Sequence, residues 1–167
     1  TRAFGAEVIL FGDGLKEARH KAEALADERG MIMIHPYDDA EIIAGQGTVA
    51  LEMLDSFPDL DLLVVPVGGG GLISGVAVAA KAINPEIQII GVQTERFPSM
   101  KQALAGNPVE FGSRTIAEGI AVKTPGNLTL PIVRELVDDI LLVDEDQIEE
   151  AVEMLLEVEK SVVEGAG

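Results

Sequence analysis

Hydrophobic residues occur in two patterns along the chain, as short continuous runs and as longer stretches in which they recur at helical spacing. The continuous runs predict buried strands of the kind found in parallel sheets, over residues 7–11, 31–34, 62–67, 87–92 and 140–143. The periodic stretches predict helices over residues 15–29, 40–56, 72–83, 97–105, 130–137 and 146–163. Because strands alternate with helices, the sequence predicts an α/β fold, with a doubly wound, mostly parallel sheet and helices on both faces.

Glycine, proline and acidic residues mark where these elements start and stop. Residues 12–14 are predicted to end the first strand, and Gly30 is predicted to end the first helix. The second helix is predicted to be broken or tightened at residues 45–47, where two glycines flank a glutamine. Asp144 is a candidate N-cap for the last helix, and the segment 109–127, rich in glycine and proline, is predicted to be mostly loop.

Four consecutive glycines, Gly68, Gly69, Gly70 and Gly71, lie between the third apolar run and the helix that follows it. Glycine allows a positive φ and lets a ligand approach the backbone, because it has no Cβ. A loop at this place directs several backbone N–H groups toward the N-terminus of a helix, where the dipole favours an anion. A tight turn would need only one or two glycines, so we expect a phosphate site at this end of the strand.

Two common phosphate-binding patterns do not match this loop. The dinucleotide pattern G-x-G-x-x-G, counted from Gly69, ends on Ser74, and the Walker pattern requires a lysine where Val76 stands. Glu95 nevertheless lies at about the distance along the chain where a ribose-binding acid would be found. A nucleotide-binding module of the doubly wound type, using Gly69, Gly71 and Glu95, therefore stays an alternative.

Composition and charge narrow the range of partners. The formal net charge is -17, from 29 acidic and 12 basic residues, which argues against binding to nucleic acid or to an anionic membrane. A phosphate must then be held by backbone dipoles rather than by a basic patch. No apolar run is long enough to span a bilayer, and the sequence has no cysteine, which removes disulfides, thiolate metal sites and cysteine nucleophiles. We therefore expect a cytoplasmic protein.

Residues 66–75, PVGGGGLISG, resemble the phosphate loop of the fold-type II pyridoxal-phosphate enzymes, in the branch of the threonine dehydratases and serine racemases. Further segments resemble the same family in order and spacing, namely residues 4–8, 35–38, 43–48, 115–119 and 163–167. The resemblance covers essentially the whole chain. It implies that residues 1–34 form the end of the small domain and the crossover, and that residues 35–167 form the large phosphate-binding domain, truncated at its C-terminal end.

The resemblance also implies pyridoxal 5'-phosphate as the cofactor and a set of residues that bind it, namely Gly68, Gly69, Gly70, Gly71, Leu72, Gly119 and Glu164. In the family, the glycine loop and Leu72 offer N–H groups to the phosphate, Gly119 lies beside the pyridine ring, and Glu164 lies near the far edge of the ring. A solvated glutamate that closes the last helix is the alternative role for Glu164. Gln46 and Thr48 match a family segment near the hinge between the two domains.

The activity that the resemblance implies is the release of ammonia from L-threonine, and also from L-serine, with a 2-oxo acid as the other product. The Schiff-base lysine of the family lies in an S-F-K-type motif, and no lysine of this sequence has that context. The chain also begins without methionine and ends directly after a helical run, so we expect an internal fragment that has no catalytic residue and no turnover by itself.

Two other roles remain open at the level of sequence. Serine or threonine racemisation on the same scaffold is one, but family racemases hold a divalent metal with carboxylates where this sequence has Gln93 and Ser99. We therefore expect no metal, and we favour the dehydratase. A piece that only assists folding or assembly is the other. Family members are commonly dimers or tetramers, so a homo-oligomer that acts on a small amino acid is expected.

Overall fold

A parallel sheet of three strands lies in Pro36–Gly167, the larger of two compact units of the chain; the other is Thr1–His35. The computed structural model describes residues 1–13 and 15–167. The strands are β1 (Leu62–Pro66), β2 (Gln88–Thr94) and β3 (Asp139–Val143), and β2 lies between the other two. All three run in the same direction, so their carboxyl ends form one edge of the sheet. The predicted α/β fold with a parallel sheet is confirmed.

Helices and short 3-10 turns account for the other regular elements of the described residues. The helices are α1 (Leu15–Arg29), α2 (Ala40–Ser56), α3 (Gly71–Ile83), α4 (Ser99–Leu104), α5 (Thr129–Leu136) and α6 (Glu145–Glu157), and the 3-10 turns are Arg2–Phe4 and Glu118–Ile120. The predicted last helix is too long, since α6 ends at Glu157 and Lys160 then adopts a φ of 57°. Among the described residues, no helix has the length and apolar character needed to cross a membrane.

The strands predicted for residues 7–11 and 31–34 are not formed in the unit Thr1–His35. Their apolar side chains are largely exposed, with Leu10 at 87% and Ile32 at 91% of full exposure. A strand needs a neighbour that accepts its backbone hydrogen bonds, and the described part of the chain offers neither segment one. The two strand predictions are therefore wrong for this structure. Of the predicted strand end at residues 12–14, Gly14 lies outside the described residues.

The break predicted in α2 is also absent, and one of the two glycines, Gly47, serves helix packing instead. The helix runs without interruption through residues 45–47 and packs against α3. A Cβ added to Gly47 would lie 2.9 Å from the carbonyl oxygen of Gly75, and a Cβ on Gly75 would lie 2.6 Å from the backbone nitrogen of Gly47. The two helices therefore touch through backbone at these glycines. This close approach fixes the helix that carries the glycine loop at its N-terminus.

The two faces of the sheet differ in how completely they are covered. Side chains that alternate along the strands, such as Leu63, Val65 and Ile89, are buried in a core that they share with α2, α3 and α5. On the opposite face Leu62, Val64 and Leu141 are 44%, 60% and 49% exposed. Helix α6 lines part of this second face, around a cavity of about 260 Å³. The strands are thus fully buried on one face only.

Candidate functional site

The glycine loop connects the end of β1 to the first turn of α3. Gly68, Gly69, Gly70 and Gly71 are buried, and Leu72 is half-buried. Gly70 adopts a φ of 96° and occupies the N-cap position of α3. The strand pairing ends just before the loop, where the N–H of Val67 donates to the carbonyl of Val92 at 2.8 Å. The loop therefore lies at the carboxyl edge of the sheet, as the sequence predicts.

The backbone N–H groups of residues 68–73 donate to no acceptor in the described part of the chain. The next N–H group, that of Ser74, donates to the carbonyl of Gly70 at 3.0 Å and begins the regular bonding of α3. Buried N–H groups without a partner are costly, so a continuous series of them indicates a place for a ligand or for ordered water. At the N-terminus of a helix such a set favours an anion, because backbone dipoles supply the positive end.

Protein atoms pack closely against every glycine of this loop. An added Cβ would lie 3.0 Å from Val122 at Gly68, 2.5 Å from the ring atom Cγ of Tyr37 at Gly69, and 2.9 Å from the Cβ of Tyr37 at Gly71. At Gly70 it would lie 2.5 Å from Met100 and 2.9 Å from Thr129. The expectation that packing needs only one or two of the four glycines is therefore wrong. The free N–H groups, rather than the number of glycines, are the sign of an anion site.

The segment that precedes α5 supports the loop through hydrogen bonds. The carbonyl of Gly69 accepts from the Thr129 hydroxyl at 2.6 Å and from the Gly126 N–H at 3.2 Å. The Asp38 carboxylate accepts from the N–H groups of Asn127 and Leu128, at 2.8 and 2.7 Å, and so holds the turn that leads into α5. The Tyr37 hydroxyl donates to the carbonyl of Thr124 at 3.0 Å. Asp38 and Tyr37 therefore connect the start of α2 to the segment before α5, which supports the glycine loop.

Gly119 and Glu164, the other two residues expected to bind the cofactor, lie next to each other. A Cβ on Gly119 would be 3.3 Å from a carboxylate oxygen of Glu164. Gly119 belongs to the 3-10 turn Glu118–Ile120, and a Cβ on Gly68 would be 3.1 Å from the Cα of Ile120. The structure thus brings the turn into contact with both the glycine loop and Glu164. Glu164 does not close the last helix, since that helix ends at Glu157.

Glu145, in the first turn of α6, fastens the segment that leads to Gly119. Its carboxylate accepts from the Thr115 hydroxyl at 2.7 Å, from the Ile116 N–H at 2.9 Å and from the Thr94 hydroxyl at 3.3 Å. Desolvation by itself would raise the pKa of Glu145, but the bonds from Ile116, Thr115 and Thr94 together lower that pKa below its ordinary value. Glu145 therefore stabilises this loop in its ionised form.

The lowered pKa of Glu145 predicts how the stability of the full-length protein depends on pH. Because the folded pKa lies below the ordinary value of 4.5, the stabilisation is complete above that value and is lost as the pH falls through the folded pKa. We expect Glu145→Gln to lower the unfolding free energy by about 1 kcal/mol at neutral pH, and to weaken the loss of stability in acid. Thermal unfolding midpoints between pH 3 and 7 measure both effects.

Glu150→Gln is the matched control for this prediction, because Glu150 is exposed on the same helix. We expect this control to follow the wild type across the pH range. Equal acid sensitivity of the wild type and of Glu145→Gln would contradict the role given to Glu145.

Gln93 and Ser99, the neutral residues on which the expectation of no metal rests, are engaged in protein contacts. Gln93 is buried, and its side-chain oxygen accepts from the N–H of Lys101 at 3.2 Å, while its amide nitrogen has no acceptor in the described part of the chain. The Ser99 hydroxyl donates to the carbonyl of Val122 at 2.7 Å. Among the described residues, no group of three or more histidines and carboxylates could hold a metal ion. The absence of a metal stays a prediction.

Several residues of the site could not be recognised from the sequence. Tyr37, Asp38, Thr129 and Glu145 act through partners far along the chain, and the sequence assigned none of them these contacts. Tyr37 and Asp38 lie in a segment that resembles the family, and the two acids of residues 37–39 suggest helix caps. Asp39 does cap α2, by accepting from the N–H groups at the start of that helix, whereas Asp38 binds the turn before the distant α5. Glu95, the acid of the nucleotide-binding alternative, is exposed directly after β2.

Comparison with known proteins gives matches over the whole chain. The family model described as "Pyridoxal-phosphate dependent enzyme" matches residues 1–167. An L-threonine ammonia-lyase of Thermotoga maritima is 49% identical over 100% of this chain and 42% of its own length. A catabolic L-threonine dehydratase of Escherichia coli strain K12 is 46% identical over 100% of this chain and 51% of its own length. The chain therefore spans about half the length of the curated relatives that it matches.

Solved structures agree with this result. A serine racemase from maize superposes with a TM-score of 0.92 at 39% identity, covering 99% of this chain and 52% of that one. A threonine deaminase from T.th. superposes with the same TM-score of 0.92 at 41% identity, covering 99% of this chain and 56% of that one. The resemblance expected from the sequence is confirmed, and so is the assignment of the fold.

Proposed function

Because the chain belongs to the family of pyridoxal-phosphate dependent enzymes, we propose that it is part of an L-threonine ammonia-lyase that also accepts L-serine. The products are a 2-oxo acid and ammonia. The observation that carries the proposal is the series of N–H groups over residues 68–73 that find no acceptor within residues 1–13 and 15–167, in a chain that matches this family from end to end. Threonine ammonia-lyases and dehydratases at 49% and 46% identity support the choice of reaction.

In this proposal the phosphate of the cofactor is held by the N–H groups of the glycine loop and of Leu72. The residues present fit a phosphate, since these donors have no acceptor among the described residues and lie at the N-terminus of α3. The net charge of -17 is consistent with an anion that is bound by local dipoles rather than by a basic surface. When bound, pyridoxal phosphate supplies an electron sink for the charge that develops at the α-carbon of the substrate.

The ring of the cofactor is assigned to the neighbourhood of Gly119 and Glu164. Their contact supports this assignment, because the turn that carries Gly119 also touches Gly68. Gly119 lets these segments approach closely, since a Cβ there would meet Ala166 at 3.1 Å and the Glu164 carboxylate at 3.3 Å. Glu145 keeps this turn in place through the loop that precedes it. The chain thus provides binding and orientation, and we propose no catalytic residue within it.

The domain boundary and the oligomeric state of the full-length protein are also proposals. We assign residues 1–34 to the end of the small domain and the crossover, and residues 35–167 to the large domain that binds the phosphate. The division of the chain into the units Thr1–His35 and Pro36–Gly167 supports this boundary. A cytoplasmic homo-oligomer, a dimer or a tetramer, is the expected form of the full-length protein, and the absence of cysteine fits that compartment.

The reaction is tested on the full-length protein with L-threonine and L-serine. We expect 2-oxobutanoate and ammonia from threonine, with both products depending on added pyridoxal phosphate, and no turnover from the 167-residue chain alone. The 2-oxo acid is measured as its dinitrophenylhydrazone, and ammonia by a coupled dehydrogenase assay. Full-length protein that binds NAD but no pyridoxal phosphate would overturn the proposal in favour of a nucleotide-binding module.

Racemisation is the second candidate, because the structure of a maize serine racemase superposes with a TM-score of 0.92. Chiral chromatography of the same reaction mixtures measures D-serine and D-threonine. We expect the 2-oxo acid to be the main product. If the D-amino acid forms faster than the 2-oxo acid, the assignment changes to a racemase on the same scaffold.

A further inference from the structure

The Thr129 hydroxyl bonds to the main chain of the glycine loop, although Thr129 lies 60 residues away in the sequence. Its oxygen is 2.6 Å from the carbonyl oxygen of Gly69, and its side chain is fully buried. We infer that Thr129 is a positioning residue that orients the Gly69–Gly70 peptide group, so that the N–H of Gly70 faces the phosphate. This inference rests on the proposed binding of a phosphate at the loop.

Because the peptide bond is planar, the direction of the Gly69 carbonyl determines the direction of the Gly70 N–H. In a trans peptide, the carbonyl oxygen of one residue and the N–H of the next point in opposite directions. A Gly69 carbonyl held toward Thr129 therefore turns the N–H of Gly70 to the other side, where it has no acceptor in the described part of the chain. The direction of a phosphate-binding N–H is thus set by a bond on the far side of the loop.

The hydrogen bond from Thr129 matters because the Gly69–Gly70 peptide group lies between two glycines and can rotate easily. Both residues of the group are glycines, and Gly70 already has a φ of 96°, so few steric barriers oppose a rotation of the peptide plane. After such a rotation the carbonyl oxygen would face the anion and repel it. The hydroxyl therefore favours the one orientation of this peptide that attracts a phosphate.

Thr129 is itself held in a fixed direction. Its hydroxyl oxygen accepts from the N–H of Gly126 at 3.0 Å, so its single proton remains available for the carbonyl of Gly69. The Gly126 N–H also reaches the Gly69 carbonyl, at 3.2 Å, but it shares its proton between two acceptors. Asp38 caps the adjacent backbone at Asn127 and Leu128. The hydroxyl is therefore the main anchor of the Gly69 carbonyl.

Loss of the Thr129 hydroxyl should weaken the preference of the protein for pyridoxal phosphate over pyridoxal. A misdirected N–H weakens the hold on a phosphate group, but it leaves contacts with the pyridine ring unchanged. Pyridoxal, which has the same ring without the phosphate, therefore serves as the reference ligand. The quantity of interest is the ratio of the Kd for pyridoxal to the Kd for pyridoxal phosphate.

The experiment compares Thr129→Val, Thr129→Ser and the wild type in the full-length protein, freed of cofactor. Valine keeps the shape of threonine without the hydroxyl, whereas serine keeps the hydroxyl. Fluorescence titration gives the Kd for both ligands, and the 31P resonance of bound pyridoxal phosphate reports the surroundings of its phosphate. We expect Thr129→Val to lower the Kd ratio by about 10- to 100-fold, the range of one hydrogen bond to a charged group, and to shift the 31P signal.

We expect Thr129→Ser to keep the ratio of the wild type. Thr48→Val is the control, because the Thr48 hydroxyl also donates to a glycine carbonyl, that of Gly45 at 2.8 Å, but on an exposed part of α2. The control should leave both the ratio and the 31P signal unchanged. If Thr129→Val does not yield folded protein, Thr129→Cys, with a weaker donor of similar size, takes its place with the same expectation of a lower ratio.

The outcomes separate this inference from the proposed function. A purely structural role for Thr129 would lower the unfolding midpoint but leave the Kd ratio unchanged, and that result would overturn the inference. A wild type that binds pyridoxal as tightly as pyridoxal phosphate would instead overturn the phosphate site itself. A wild type that prefers pyridoxal phosphate, together with a Thr129→Val variant that does not, supports both.

Discussion

We expect Gly75→Ala to lower the unfolding free energy of the full-length protein by about 3 kcal/mol, the upper part of the range for overpacking a closely packed contact. The added Cβ would lie 2.6 Å from the backbone nitrogen of Gly47 and closer still to the carbonyl oxygen of Ile43. Both are main-chain atoms of α2, so no change of side-chain rotamer can relieve the overlap. Helices α2 and α3 must move apart, which opens the core between them.

Gly45→Ala is the matched control for this prediction. Gly45 lies in α2 as well, but a Cβ added there would meet no atom within 4 Å. Alanine favours helix over glycine, so we expect this variant to be more stable than the wild type by about 1 kcal/mol. Urea unfolding followed by circular dichroism measures both variants. Stabilities that agree with each other would show that the helices do not depend on contact through Gly75.

The pattern of apolar residues was sufficient to predict the central elements of the fold. The runs that became β1, β2 and β3 are each followed by a helix, and the helices begin within a few residues of their predicted positions. These elements could be predicted because each run finds its pairing partner and a shared core within the described part of the chain. The strands predicted over residues 7–11 and 31–34 failed for the opposite reason, since their formation depends on a pairing partner and not on the run itself.

The place of the site was predictable, but the atoms that shape it were not. A glycine loop between a strand and a helix indicates an anion site from sequence alone. Nothing in the sequence indicates that the ring of Tyr37 packs on Gly69, or that the Thr129 hydroxyl holds its carbonyl. These contacts join segments that are distant along the chain, and they follow only from the packing of α2, α3 and α5. The loop itself can therefore be recognised from the sequence, but the orientation of its peptide groups depends on packing between distant segments.

The backbone of the glycine loop packs against protein on one side and presents N–H groups on the other. On one side Tyr37, Met100 and Thr129 approach too closely for any side chain. On the other side the N–H groups of residues 68–73 have no acceptor in the part of the chain that the structure describes. Packing by protein thus holds the loop in place, and the Thr129 hydroxyl sets the direction of the Gly69–Gly70 peptide, so that the dipoles are already oriented before an anion binds. Such preorganisation lowers the cost of binding, since little of the backbone has to be ordered by the ligand.

The preorganised loop makes Gly70→Ala the change with the largest expected effect on ligand binding. Alanine would be strained at a φ of 96°, and its Cβ would lie 2.9 Å from both the Cβ and the hydroxyl oxygen of Thr129. The end of Met100, at 2.5 Å, can rotate away, but buried Thr129 cannot. We expect the affinity of the full-length protein for pyridoxal phosphate to fall by more than about 100-fold, equivalent to about 3 kcal/mol.

Gly106→Ala separates backbone strain from the disturbance of the loop. Gly106 also has a positive φ, of 71°, but a Cβ there would meet no atom within 4 Å. We expect this control to lose about 1 kcal/mol of stability from strain and to keep its affinity for pyridoxal phosphate within about twofold. Equilibrium titration of cofactor-free protein measures the affinities, and thermal unfolding measures the strain. If the affinity of Gly70→Ala also stays within about twofold of the wild type, the shape of the loop at Gly70 does not govern how the phosphate is held.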